Sequence, residues 1–150
     1  MTKEDEAMTN DSARMTNDKT QSSNQVQSSN KPKPYDLEER TALFGEQVVR
    51  FANSLEKTIV SRELVSQLVR SSTSIGANYM EADAAESHRD FSHKIAISKK
   101  EAKETMHWLR MIAAACPSVA VKCRLHWKEA RELTRIFSAI IAKGRKKHGE

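Results

Sequence analysis

Aromatic residues make up only 5% of this 150-residue chain, and glycine (4), proline (3) and cysteine (2) are equally scarce. Each scarcity excludes something. Gly45, Gly76, Gly144 and Gly149 are too dispersed to form the loop that cradles phosphate in a P-loop or dinucleotide fold. Cys116 and Cys123 fit neither a disulfide framework nor a Cys-x-x-Cys metal knuckle, so neither oxidation nor a metal is expected to hold the fold. No apolar run approaches the roughly 20 residues that cross a bilayer. The amino-terminal residues also lack the apolar centre of a signal peptide, so the expectation is a cytoplasmic protein without membrane contact. His88 and His93 stand on different sides of a helix, with no Cys or His at a metal-ligand spacing. Serine-hydrolase patterns are missing too. No catalytic residue, metal or cofactor is predicted.

Residues 1–34 contain no aromatic residue, and Val26 is their only leucine-like or β-branched aliphatic. Almost no core can form there, so the segment is expected to be a disordered polar tail. Its short near-duplicates, AMTNDS with RMTNDK and QSSNQ with QSSNK, are too short to stack as structural repeats. Lys3, Arg14, Lys19, Lys31 and Lys33 balance Glu4, Asp5, Glu6, Asp11 and Asp18, which leaves the whole net charge of +5 on residues 35–150. The domain itself is basic.

From Tyr35 the apolar spacing turns helical. Leu37, Thr41, Phe44, Val48, Phe51 and Leu55 form one face, with Asp36 placed to cap the start and the polar turn Glu56–Thr58 to end it. Ser61 is expected to open a second helix whose face holds Leu64, Leu68, Ser71 or Ser72, Ile75, Tyr79 and Ala82. The run Ser71–Asn78 is rich in Ser, Thr and Gly, which propagate a helix poorly, so packing must hold it. Ser87 is placed to cap a third helix carrying Phe91, Ile95, Ser98, Ala102, Thr105, Leu109 and Ile112 up to the break at Pro117. Ser118 is expected to cap a fourth with Val119, Cys123, His126, Ala130, Leu133, Phe137 and Ile140, ending near Gly144. Short joints make neighbours antiparallel. The prediction is an all-α, up-down-up-down four-helix bundle over residues 35–150, with a basic carboxy-terminal end. No stretch alternates with period two, so a sheet has no support.

The fourth helix carries Arg124, Lys128, Arg131 and Arg135 at steps that share one face, flanking the predicted core. The third repeats the offset with Lys99, Lys103 and Arg110. Adding Lys122, Lys143, Arg145, Lys146 and Lys147 against only Glu129 and Glu132 makes residues 122–148 strongly basic. Two readings fit. A Lys/Arg stripe binds phosphate backbones through counterion release without any base-specific motif. Alternatively the side chains snorkel over an interhelical or intersubunit seam, with Glu101, Glu104, Glu129 and Glu132 as partners. No RNP-like aromatic motif, GXXG loop, zinc-finger or helix-turn-helix spacing accompanies the stripe.

His107 and His126 are read as packed, hydrogen-bonded residues. Glu81, Asp83 and Glu86 give the second helix an acidic end, read as a solvated face. Trp108 and Trp127 each sit beside a core position, which suits packing first, then an oligomer interface or base stacking.

Three segments, YDLEER at residues 35–40, QLVRSSTSIGANYMEADAAES at 67–87 and DFSHKIAISKKEAKETMHWL at 90–109, resemble the four-helix-bundle proteins associated with 23S rRNA intervening sequences. The resemblance spans about residues 35–143. Arg70, Gly76, Asn78, Glu81, Phe91, Lys94, Glu101, Thr105 and Trp108 map onto the pattern of that family. It implies a ring-like homopentamer and a distant similarity to the accessory protein of diversity-generating retroelements, which binds a reverse transcriptase and nucleic acid. It also gives Arg70, Gly76, Asn78, Glu81, Phe91 and Trp108 structural or interface roles. In this light Ser71, Ser72, Gly76 and Ala77 allow close helix approach. Burying Asn78 unpartnered would cost about 1 to 3 kcal/mol, so a specific hydrogen bond is expected for it. The chain departs from the pattern by its long polar tail and its basic end.

The functional expectation is a non-enzymatic homo-oligomer that binds structured RNA or DNA without strong sequence specificity. Lys99, Lys103, Arg110, Arg124, Lys128, Arg131, Arg135, Arg145, Lys146 and Lys147 would carry the contact. A protein–protein adaptor whose stripes form subunit seams or dock an acidic partner is the alternative.

Overall fold

Asp36 fixes where the helical chain begins: its side chain accepts the Glu39 amide at 3.1 Å, and α1 runs from there over Leu37–Asn53. The computed structural model describes residues 36–149, so the polar tail lies outside the described residues. Three longer helices follow, α2 (Ile59–Asp83), α3 (His88–Ala115) and α4 (Ala120–His148). No strand occurs among the described residues. Sequential helices pack against one another, and α1 meets α4 mainly through long side chains, giving the up-down-up-down bundle that the spacing predicts.

The predicted faces form the core. Phe44, Val48, Leu68, Ile75, Ile95, Leu109, Ile112, Leu133 and Phe137 are buried, and Leu64, Tyr79, Phe91, Val119 and Ile140 pack against them half-buried. Phe51 and Phe44 of α1 reach across to His126 of α4, with ring centroids 5.1 Å and 6.4 Å away.

Helix ends differ from expectation at three places. α2 starts at Ile59, not Ser61, because Thr58 is the cap: its hydroxyl accepts the Ser61 amide at 3.0 Å while Ser61 Oγ accepts the Thr58 amide at 2.8 Å. Ser118 caps nothing. Pro117, with its fixed φ, starts a 3-10 turn over Pro117–Val119, and α4 begins at Ala120 without a side-chain cap. Gly144 does not end α4 either. A Cβ there would sit 3.1 Å from His88 Nε2, so the glycine serves a close approach to α3. The helix continues to His148, and Gly149 closes it at φ 73°.

Candidate nucleic-acid interface

The weak middle of α2 is held by packing. Its outward hydroxyls turn back on its own carbonyls, Thr73 on Val69 at 2.8 Å and Ser74 on Arg70 at 2.7 Å, which satisfies them without strengthening the helix. Small buried side chains then let α3 come close: Ser98 Oγ donates to the Ile75 carbonyl at 3.1 Å. The Thr105 hydroxyl donates to the Glu101 carbonyl at 2.8 Å and lies 3.0 Å from Ser71 Oγ. These contacts fix the rotation of α3 about its axis. Ser98, Ala102, Thr105 and Leu109 face inward, so Lys99, Lys103 and Arg110 emerge on the side next to α4.

Two grooves run along that α3/α4 seam. The first, about 730 Å³, is lined by Ala96, Lys99, Lys100, Lys103 and Glu104 of α3 with Ser138, Ile141, Ala142 and Arg145 of α4. The second, about 410 Å³, is lined by Leu109, Arg110 and Ala113 of α3 with Ala120, Cys123, Arg124, Trp127 and Lys128 of α4. Between them Thr134 Oγ1 touches Met106 Sδ at 3.9 Å and narrows the seam. The structure thus gathers Lys99, Lys103, Arg110, Arg124, Lys128 and Arg145 into one seam. Arg131 lies over the Trp127 ring, 5.6 Å from its centroid, and Arg135 pairs with Glu132 at 2.8 Å. Lys146 and Lys147 are exposed near the end of α4 and line neither groove. Lys100 joins the seam unpredicted. It stands two positions past the buried Ser98, and only the inter-helix geometry shows that its side chain reaches the groove.

The carboxylates that could have neutralised this stripe are engaged elsewhere. Glu129 takes Arg40 of α1, at 2.6 Å and 3.1 Å. Glu104 takes Arg70 of α2 and the Trp108 indole N–H, the latter at 3.2 Å. Glu101 is buried with its Oε2 3.8 Å from Arg70 and without a hydrogen-bond partner, and burial raises its pKa. Only Glu132 serves a stripe residue. Among the described residues, Lys99, Lys103, Arg110, Arg124 and Lys128 form no ion pair.

The residues assigned structural roles sit mainly around α2. Arg70 and Glu81 each tie α2 to α3, through Glu104 and Lys94 respectively. Gly76 is buried against Thr41 of α1. Asn78 has its expected hydrogen bond, but within its own helix: Nδ2 donates to the Ser74 carbonyl at 2.8 Å. Phe91 and Trp108 pack against the core. His107 departs from expectation, being exposed and edge-on to Trp108 at 4.9 Å, because α3 turns it outward past the buried Thr105.

Chemically reactive groups are not poised along the seam. Burial pushes the Cys123 thiol up to about 11, which suppresses the thiolate. Burial lowers the His126 pKa, and its ring contacts are Phe44 and Phe51. No group of three metal-ligating side chains occurs among the described residues, and no described helix is long and apolar enough to cross a membrane. What the seam offers is positive charge and shape.

No curated protein matches the chain. Its fold is similar to the crystal structure of a protein of unknown function from the S23 ribosomal protein family of Bacteroides thetaiotaomicron. That likeness has 28% sequence identity and a TM-score of 0.62, and covers 70% of this chain and 97% of the other. Residues 35–139 match the family described as 23S rRNA-intervening sequence protein. With that match spanning the four-helix segment from its first capping residues well into α4, the chain belongs to the 23S rRNA-intervening sequence protein family.

Proposed function

We propose that this protein is a non-enzymatic, self-associating bundle that binds structured RNA or DNA without strong sequence specificity through the α3/α4 seam. The observation that carries the reading is the pairing pattern. Glu129 and Glu104 are bound to α1 and α2, while the exposed Lys103, Arg110, Arg124 and Lys128 and the half-buried Lys99 line one seam without ion pairs among the described residues. A stripe that only covered a seam would draw in its neighbouring carboxylates. A stripe left with water and counterions gains by releasing those counterions to a polyphosphate. The family's name refers to 23S rRNA, which supports rRNA fragments as the natural first ligand to try.

Self-association is supported by exposed apolar side chains. Val121 and Leu125 lie one turn apart on α4 at 75% and 61% exposure, and Ile59 and Val60 open α2 at 86% and 60%. A homopentamer is the state the family resemblance implies. The same apolar side chains favour the second reading, an adaptor that docks another protein, for which a reverse transcriptase is the partner suggested by the accessory-protein likeness.

The test is binding to labelled rRNA fragments and duplex DNA across a salt series, with the mass in solution measured in parallel. Steep weakening with salt is expected. Charge reversal at Arg124, Lys128, Arg131 and Arg135 should abolish binding and leave the mass unchanged. Dissociation on charge reversal would instead assign the stripe to a subunit seam, and no binding at low salt by an intact oligomer would favour the adaptor.

A further inference from the structure

The two grooves of the seam are chemically unlike. The first is lined by four cations and Glu104, and suits phosphates. The second has an apolar floor, with Leu109 and Cys123 almost fully buried and Ala113 and Ala120 leaving the space a larger side chain would fill. Trp127 forms part of its wall, and Arg110, Arg124 and Lys128 ring it without a carboxylate. Arg131 lies over the Trp127 ring but does not line the groove, so it fixes the indole from outside the hollow.

We infer that the second groove holds an unpaired nucleobase of a single-stranded nucleic acid, against Trp127, while Arg110, Arg124 and Lys128 take the flanking phosphates. This rests on the phosphate-binding reading of the seam and deepens it.

Charge complementarity selects the occupant. Three cations with no carboxylate in the lining repel a cationic guest, and a purely apolar guest would take water from them without offering an anion in return. A duplex offers such a groove no base face, because its bases are stacked and paired inside. A base released from pairing presents a flat apolar face to the groove and keeps its phosphates outside, within reach of the cations. The first groove continues the track. Lys103 and Arg110 are seven residues apart on α3, roughly 10 Å along the axis, so one extended strand can cross from one groove to the other.

The experiment uses the full chain carrying Trp108→Phe, so that Trp127 is the only tryptophan, and three probes of equal length: a single-stranded RNA, the same sequence as DNA, and the blunt RNA duplex. A fourth strand with abasic positions supplies the phosphates without bases. Single strands should quench Trp127 fluorescence and bind roughly ten times tighter than the duplex and the abasic strand, a factor within the range of base stacking on an aromatic side chain. Trp127→Leu should cost the single strands about the same factor and leave duplex binding unchanged, with helix content checked in parallel. Comparing RNA with DNA separates the two sources of the base.

Equal binding of all four probes, or no quenching on saturation, would overturn the base pocket and leave the phosphate-binding reading standing. An equal loss for every probe in Trp127→Leu would also overturn it, by showing a packing role. Absence of binding by any probe at low salt would remove both.

Discussion

Arg40 of α1 holds both carboxylate oxygens of Glu129 on α4, Nε to Oε1 at 2.6 Å and Nη2 to Oε2 at 3.1 Å. The pair spans the two neighbouring helices of the bundle whose backbones approach least, and Glu129 holds the Arg40 guanidinium firmly charged, raising its pKa. It also removes from the basic seam the carboxylate nearest to Lys128 in sequence.

Replacing Arg40 with Ala should therefore have two effects. Stability should fall by about 1 kcal/mol, the scale for a well-formed but half-exposed pair, measured by urea denaturation. Glu129 should then be available to the stripe, so affinity for a polyanion should drop although Arg40 lies outside the seam. An unchanged affinity would show that Glu129 does not reach the stripe.

Each seam cation that contacts phosphate should contribute to the salt dependence. Neutralising Lys99, Lys103 or Arg124 singly to Gln should weaken nucleic-acid binding uniformly across sequences. Each should lower the slope of log affinity against log salt by about 1. The same change at Arg50, which pairs with Glu46 on the exposed side of α1 at 2.8 Å, should leave the slope unaltered.

His126 gives the fold a dependence on pH. Its folded pKa lies below the ordinary value of 6.5 because burial disfavours the charged ring. The unfolded chain then binds the proton more readily, so this residue's contribution is fully present above about pH 6.5 and is lost as pH falls through the lower folded value. Between pH 7.5 and pH 5 the denaturation midpoint of the parent should fall further than that of His126→Leu. Parallel curves would contradict the shift.

Gly76 touches Thr41, but a Cβ there would lie 3.4 Å from Thr41 Oγ1 and 3.5 Å from its backbone, which is ordinary contact. Gly76→Ala should hence stabilise α2, by up to about 1 kcal/mol from helix propensity. Gly76→Leu should destabilise strongly, because the extra atoms would meet the α1 backbone. Thermal melts of the two variants decide this.

Thr58→Ala breaks the reciprocal cap with Ser61. The expected loss is about 1 kcal/mol, with the first turn of α2 gaining hydrogen exchange before the rest of the helix.

The helices, their inward faces and the basic offset of the stripes were legible in the residue spacing alone, because burial follows the helical period. Thr41, Ser71, Ser98 and Thr105 are buried where that period places them, polar or not. The sequence also marked the caps at Asp36 and Ser87, where a side chain serves an amide three residues on. It did not determine the start of α2, where Ser61 reads as the opening residue until its amide is seen bonded to Thr58, or the end of α4, where Gly144 reads as a stop until His88 is seen against it. Nor could it say which carboxylate pairs with which cation. Glu129 lies one residue from Lys128 and 89 from Arg40, yet the fold gives it to Arg40. That choice depends on how far apart α1 and α4 stand and how each is rotated. Only tertiary packing sets those quantities, and with them the two grooves, the entry of Lys100 and the placing of Trp127 in a wall.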